Sequence, residues 1–106
     1  MFQVNGQTWQ IRAVRASDSR LRRSDGSVTI GVTDNNDKTI YISELLQGEF
    51  LDKVICHELT HVFSFEYNLD IPIETEEIIA DFMSLYGRDI IYLADSIMSS
   101  LVRRIA

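Results

Sequence analysis

The hydrophobic pattern of this 106-residue chain changes its period near residue 44. Before that point, short β-rich runs are separated by residues that favour turns. After it, apolar residues recur at the three- and four-residue spacing of helices. Strands followed by helices are typical of an α+β domain whose helices cover one face of a small sheet. The length predicts a single domain over residues 1–106.

The strand-rich part is predicted to contain two β-hairpins and therefore about four strands. An early Asn-Gly pair supplies the positive φ angles of a tight turn, which predicts strands at residues 2–4 and 7–14. A second pair of strands is expected at residues 28–33 and 39–43. The residues between them are rich in Asp and Asn, which tolerate left-handed backbone conformations.

Three helices are predicted for the second part, at residues 49–66, 75–86 and 89–104. Pro72 lies in the connection between the first two, because proline cannot occupy the interior of a helix. Gly87 is expected to end the second helix, since glycine is the usual residue just after a helix C-terminus.

Composition and charge argue against several classes of protein. The net charge of −6 argues against a dedicated nucleic-acid binder, although five arginines fall within residues 1–23, where a solvated sheet edge is the plainer interpretation. No apolar run approaches the length of a membrane span. The N-terminus lacks the pattern of a signal peptide, and the single cysteine, Cys56, excludes an intrachain disulfide. We therefore expect a cytoplasmic protein with no membrane and no nucleic-acid partner.

The helix predicted at residues 49–66 carries both histidines of the chain, His57 and His61. Residues four apart lie on one face of a helix with their Cβ atoms about 5–6 Å apart, so the two imidazoles can bind one metal ion. Glu58 borders that face and can reach a bound water as a general base without being a ligand. The alternative is an ordinary buried helix with two satisfied core histidines. Ser64 is assigned to the solvent side of this helix.

The next helix can supply a third ligand. Glu77 and Asp81 are four residues apart on a helix whose apolar content predicts that it is mostly buried, and buried carboxylates are costly unless they are paired. Glu77 is therefore the candidate ligand, and Asp81 the candidate acceptor for the free N–H of a ligating histidine. In the alternative, Glu74, Glu76 and Glu77 only complement the helix dipole in the first turn, which leaves Asp81 unexplained.

Two motifs together carry a family resemblance. The segment "HELTH" (57–61), followed sixteen residues after His61 by "EIIAD" (77–81), resembles the zinc site of gluzincin metallopeptidases. The small size and the strand that leads into the first helix are similar to the compact ImmA/IrrE-like metallopeptidases of prophages and mobile elements. The resemblance covers about 25 residues and implies a minimal zincin-like domain with one zinc ion. It implies His57, His61 and Glu77 as zinc ligands, Glu58 as general base and acid, and Asp81 as the partner of a ligating histidine.

A zinc-dependent peptidase of narrow specificity is therefore expected, in which zinc activates a water to attack a peptide bond of a protein or peptide substrate. Tyr67, Tyr86 and Tyr92 are candidates for stabilising the oxyanion by residue type alone. The strand at residues 39–43 is a candidate for pairing with an extended substrate along its edge. The alternative is a zinc-binding regulatory or protein-interaction module with little or no hydrolytic activity.

The last predicted helix suggests one further kind of partner. An apolar stripe recurs along it at the spacing of one helix face, and such a stripe at the end of a small domain could mediate a homodimer, although it is more often part of a core. Its residues are Ile90, Ala94, Ile97, Leu101 and Ile105.

Overall fold

In a computed structural model, which describes residues 1–23 and 25–105, the chain is an α+β protein with a four-stranded mixed sheet followed by helices. The strands are β1 (Phe2–Val4), β2 (Gln7–Val14), β3 (Gly31–Asp34) and β4 (Thr39–Ser43). Their order across the sheet is β1-β2-β4-β3. Both predicted hairpins are present as antiparallel pairs, and β2 and β4 join them in parallel.

The first hairpin has the predicted turn, with φ angles of 49° at Asn5 and 79° at Gly6. The strand expected at residues 28–33 starts later. Val28 forms only an isolated bridge with Arg22, and the Thr29 amide donates to the Leu21 carbonyl at 2.8 Å. The chain just before β3 is therefore held by the segment around Leu21 rather than by the sheet.

Strand β4 lies inside the sheet, between β2 and β3, so the expectation that it offers an edge to a substrate is wrong. All five of its residues are buried. One edge of β4 pairs in parallel with β2, and the other pairs antiparallel with β3. Strand β3 is the outer strand on that side.

The first helix, α1 (Gly48–Glu66), was predicted almost to the residue and packs against the sheet. Val54 and Val62 of this helix join a core with Trp9 and Ile40 of the sheet. At the end of the helix, the Asn5 side chain donates to the Glu66 carbonyl at 2.9 Å. These contacts hold the helix, and the face that carries its histidines, in a fixed position relative to β3.

The remaining helices are α2 (Ile73–Phe82) and α3 (Arg88–Ile105), and a π-helical turn at Met83–Gly87 joins them without a break. The helices predicted at residues 75–86 and 89–104 are thus one continuous segment, and the described part contains two long helical segments and a 3₁₀ turn at Ser19–Leu21. Gly87 does not end a helix, and its backbone stays helical. A Cβ atom there would lie 2.7 Å from the Met83 Cε atom, so a larger residue would require the flexible end of the Met83 side chain to move.

The expectation that α2 is mostly buried is also wrong. Only Glu76 and Ala80 are buried, whereas Ile78 is 69% exposed and Phe82 is 50% exposed. The sheet is already covered by α1, so α2 contacts α1 along a single narrow face.

Helix α3 extends away from the rest of the molecule. The radius of gyration is 16.3 Å, compared with about 13 Å for a compact chain of this size. Four apolar residues of the predicted stripe are exposed, and the side chain of Ile105 lies outside the described part of the structure. Those four are Ile90, Ala94, Ile97 and Leu101. Among the described residues, none of the helices combines the length and the apolar character that crossing a bilayer requires.

The core beneath α1 makes a stability prediction. Val62 is fully buried, so Val62→Ala should lower the free energy of unfolding by about 2 kcal/mol because it leaves a cavity. Val28, which is 66% exposed, offers the matched control. Val28→Ala should change the free energy of unfolding by less than about 0.5 kcal/mol. Urea unfolding followed by tryptophan fluorescence measures both, and equal effects would contradict the assigned core.

Candidate metal centre

Helix α1 places both histidines at the surface that faces α2. Their ring centroids are 5.1 Å apart. The His57 side chain keeps 22% of its surface accessible, whereas that of His61 keeps only 8%. The site is therefore open to solvent on the His57 side and closed at His61.

Helix α2 brings the carboxylate of Glu77 to the same point. Its Oε2 atom lies 3.2 Å from Nε2 of His57, and its Oε1 atom lies 2.9 Å from Nε2 of His61. One ligand atom from each of these three residues lies within 4.8 Å of the other two. The cluster could hold a metal ion.

A carboxylate also faces the opposite nitrogen of each histidine. The Asp81 Oδ1 atom lies 3.0 Å from Nδ1 of His57. On the buried side, the Glu76 Oε1 atom lies 2.6 Å from Nδ1 of His61, and the Ser64 hydroxyl donates to Glu76 Oε2 at 2.6 Å. Each imidazole thus has its own acidic residue within hydrogen-bond distance of Nδ1.

Glu76 is a site residue that was not predicted from the sequence. An acidic residue in the first turn of a helix is already explained by the helix dipole. Ser64, assigned to the solvent side of α1, is buried against Glu76. A signal for this pair existed. Glu76 is four residues before Ala80, the small residue at which the two helices meet, so it shares the face that α2 turns towards α1.

The donor set fits a cation. An ionised carboxylate can only accept, so the carboxylates at Nδ1 place the proton of each neutral imidazole on that atom and leave a lone pair at Nε2. Both Nε2 atoms face oxygens of Glu77, which also carry lone pairs. When both imidazoles are neutral with their protons on Nδ1, the two Nε2 lone pairs and the Glu77 carboxylate converge, and a bound cation would balance this arrangement.

Glu58 lies beside these donor atoms. Its side chain is buried, and its Oε1 atom accepts a hydrogen bond from the Thr33 hydroxyl at 3.1 Å. Its Oε2 atom is 3.9 Å from Nε2 of His57. Burial raises the pKa of the Glu58 carboxyl above its usual range, and the nearby His61 and His57 oppose this effect. A carboxyl with a raised pKa is suited both to take up and to return a proton.

Strand β3 packs closely against Glu58 through a glycine. A Cβ atom at Gly31 would lie 3.0 Å from Val54 Cγ1 and 3.3 Å from Glu58 Cγ. The absence of a side chain at this position lets the strand approach α1, which brings Thr33 within hydrogen-bond distance of Glu58.

The site lies in a cleft of about 1040 Å³ between β3, α1 and the helix formed by α2 and the π-helical turn. None of the three tyrosines considered for the oxyanion lines it. Cys56 does not line it either. This cysteine is half-buried, with its Sγ atom 3.4 Å from the Met83 carbonyl oxygen.

No family model, no curated protein and no solved structure matches this chain. The resemblance to gluzincins therefore rests on the two motifs alone.

The third ligand is tested by metal content. Glu77→Ala removes the carboxylate that both Nε2 atoms face, so the purified variant should lose most of the metal that the wild type retains. Glu74→Ala is the matched control, because Glu74 is exposed on the same helix and lies outside the cluster. Elemental analysis measures both, and equal metal content in the two variants would contradict the assignment of Glu77.

The role of Glu76 is tested by metal affinity. Glu76→Gln keeps the shape of the side chain but removes the charge that holds the Nδ1 proton of His61. Loss of such a partner typically lowers metal affinity by about 10- to 100-fold. Competition with a chromogenic chelator measures the affinity. An unchanged affinity in a folded variant would mean that Glu76 only stabilises the contact between the helices.

Proposed function

We propose that this chain is a zinc-dependent metallopeptidase that hydrolyses peptide bonds by means of a metal-activated water. The observation that carries the proposal is the placement of Glu58 beside the His57, His61 and Glu77 cluster, within an open cleft. Two imidazoles and one carboxylate are a ligand set that zinc prefers, and it leaves a coordination position for water.

The zinc ion and the residues of the chain would have different roles in the reaction. A bound zinc ion lowers the pKa of a coordinated water towards about 7 and polarises a carbonyl group. His57, His61 and Glu77 would hold the ion, while Asp81 and Glu76 keep the Nδ1 protons in place. This arrangement fixes the orientation of both rings and increases the basicity of Nε2.

Glu58 performs the proton transfers in this proposal. The Thr33 hydroxyl binds Oε1, which leaves Oε2 directed towards the ligand atoms of the cluster. Oε2 takes the proton of the attacking water and returns it to the leaving amine. The apolar wall of the cleft, which includes Val54 and Phe65, limits water around this carboxylate and strengthens its electrostatic interactions.

Strand β3 is the element that can bind an extended substrate. It lines the cleft, and among the described residues β4 is the only strand that pairs with it. Its free edge offers backbone donors and acceptors beside the cluster, in the manner in which other edge strands bind peptides. This role replaces the one expected for β4.

One observation favours a second candidate function. The cleft contains no tyrosine that could stabilise an oxyanion, and a protein that retains the metal site without such a group could serve as a zinc-binding regulatory or interaction module. This candidate requires stoichiometric zinc without peptide cleavage, whereas the peptidase requires both.

The catalytic proposal is tested with Glu58→Gln. This change removes the base but not a metal ligand, so zinc content should stay at the wild-type level while cleavage falls by about 10²- to 10⁴-fold. Cleavage is measured by mass spectrometry on a mixed peptide pool, beside Glu49→Gln, an exposed glutamate on the same helix. Equal cleavage by wild type and Glu58→Gln would exclude Glu58 as the base. Absence of cleavage in zinc-loaded wild type would favour the regulatory candidate.

A further inference from the structure

One end of the cleft is positively charged, in a protein whose net charge is −6. Three basic residues, Arg22, Arg23 and Lys53, line the cleft together with the metal cluster. All three side chains are exposed. The acidic residues of the cleft, in contrast, belong to the candidate metal centre.

The folding of the chain brings these three cations to the same end. Lys53 is one helical turn before His57 on α1, which places it about 6 Å from His57 along the helix axis. Arg22 forms a bridge with Val28 just before β3, and the Arg23 amide donates to the Ser27 carbonyl at 2.8 Å. Both arginines therefore lie near the start of the strand.

Strand β3 runs alongside α1, and the two elements point in the same direction. Gly31 lies against Val54, and Thr33, two residues further on, lies against Glu58. The start of β3 thus lies beside the N-terminal part of α1. Arg22 and Arg23, which precede the strand, lie at the same end of the cleft as Lys53.

Within the described residues, none of these three cations forms an ion pair. Arg20, Lys38 and Arg88, which lie outside the cleft, are each paired with a carboxylate. The Asp25 carboxylate accepts a hydrogen bond from the Ser27 amide at 2.8 Å and attracts Arg23 without an ion pair at contact distance. The charged groups of Arg22, Arg23 and Lys53 are therefore accessible to a ligand.

We propose that the positively charged end of the cleft is a specificity subsite for a carboxylate on the peptide substrate. An extended peptide advances about 3.3 Å per residue, so this carboxylate lies about two residues from the bond at the metal centre. The carboxylate can belong to an Asp or Glu side chain or to the C-terminus of the peptide. This inference deepens the proposed peptidase function and rests on it.

The subsite would also offset the repulsion between an acidic peptide and the acidic cluster. Glu58, Glu77 and Asp81 repel a carboxylate that approaches the cluster without its ion. Cations at one end attract it there and orient the peptide along the cleft. Because the basic side chains are exposed, their attraction should weaken as the salt concentration rises.

The test measures binding rather than cleavage. Zinc-loaded Glu58→Gln is mixed with fluorescein-labelled peptide pools that are randomised except at one position, which is either Glu or Gln. A third pool, with Gln at the fixed position, is prepared in two forms, one with a free C-terminal carboxylate and one with a C-terminal amide. Binding of the two forms is compared. Fluorescence anisotropy should show binding about two- to fivefold tighter for the Glu pool or for the free acid, as expected for exposed ion pairs, and this preference identifies the source of the carboxylate. A high salt concentration should reduce this preference.

Two triple variants localise the subsite. Arg22→Gln, Arg23→Gln and Lys53→Gln together should abolish the preference. The control combines Arg12→Gln, Arg15→Gln and Arg103→Gln, which removes the same charge from exposed arginines outside the cleft and should leave the preference unchanged.

Three results would overturn the subsite: equal binding of all pools, no binding of any pool, or a preference that survives in the first triple variant. Peptide cleavage by the wild type is measured separately. A carboxylate preference without any cleavage would uphold the subsite and reject hydrolysis. Cleavage without a carboxylate preference would uphold hydrolysis and reject the subsite.

Discussion

The contact on which the rest of the site depends is the buried bond between Glu76 on α2 and His61 on α1. Helix α2 buries only Glu76 and Ala80, so it has almost no apolar surface with which to pack. Its buried contact with α1 is made by the Glu76 carboxylate, which binds His61 and Ser64 at 2.6 Å each. Removing one partner would leave a buried charge unpaired, which is strongly destabilising. The helix that carries Glu77 and Asp81 is therefore held in part by one of the histidines of the candidate metal cluster.

Much of the fold could be predicted from local patterns. The Asn-Gly turn, the strands beside it and the limits of α1 were confirmed because each depends on nearby residues. Placing His57 and His61 on one face also required only helical spacing. The sheet order was less accessible, since the parallel pairing of β2 with β4 joins segments that are about thirty residues apart in the chain. No local pattern encodes that pairing, and it decides which strand is at the edge.

The errors arise where a local rule met the rest of the fold. Apolar residues in α2 were interpreted as buried, but α1 already covers the sheet, and the second helical segment finds little surface to pack on. Gly87 was expected to end a helix because glycine often does. Here it lies beside the Met83 side chain in a helix that continues. Glu76 was overlooked for a similar reason, because a general rule for acidic residues in a first turn hid a specific partner, Ser64, on another helix.

The second helical segment is continuous, so the carboxylate at His57 and the exposed helix α3 belong to one element. Asp81 of α2 contacts His57, and α3 extends about 26 Å beyond Arg88. Arg88 binds the Asp52 carboxylate through two nitrogens, at 2.8 and 2.9 Å, where this segment leaves the body. A partner that bound α3 would therefore contact the same helical segment that places a carboxylate at the histidine on the open side of the site.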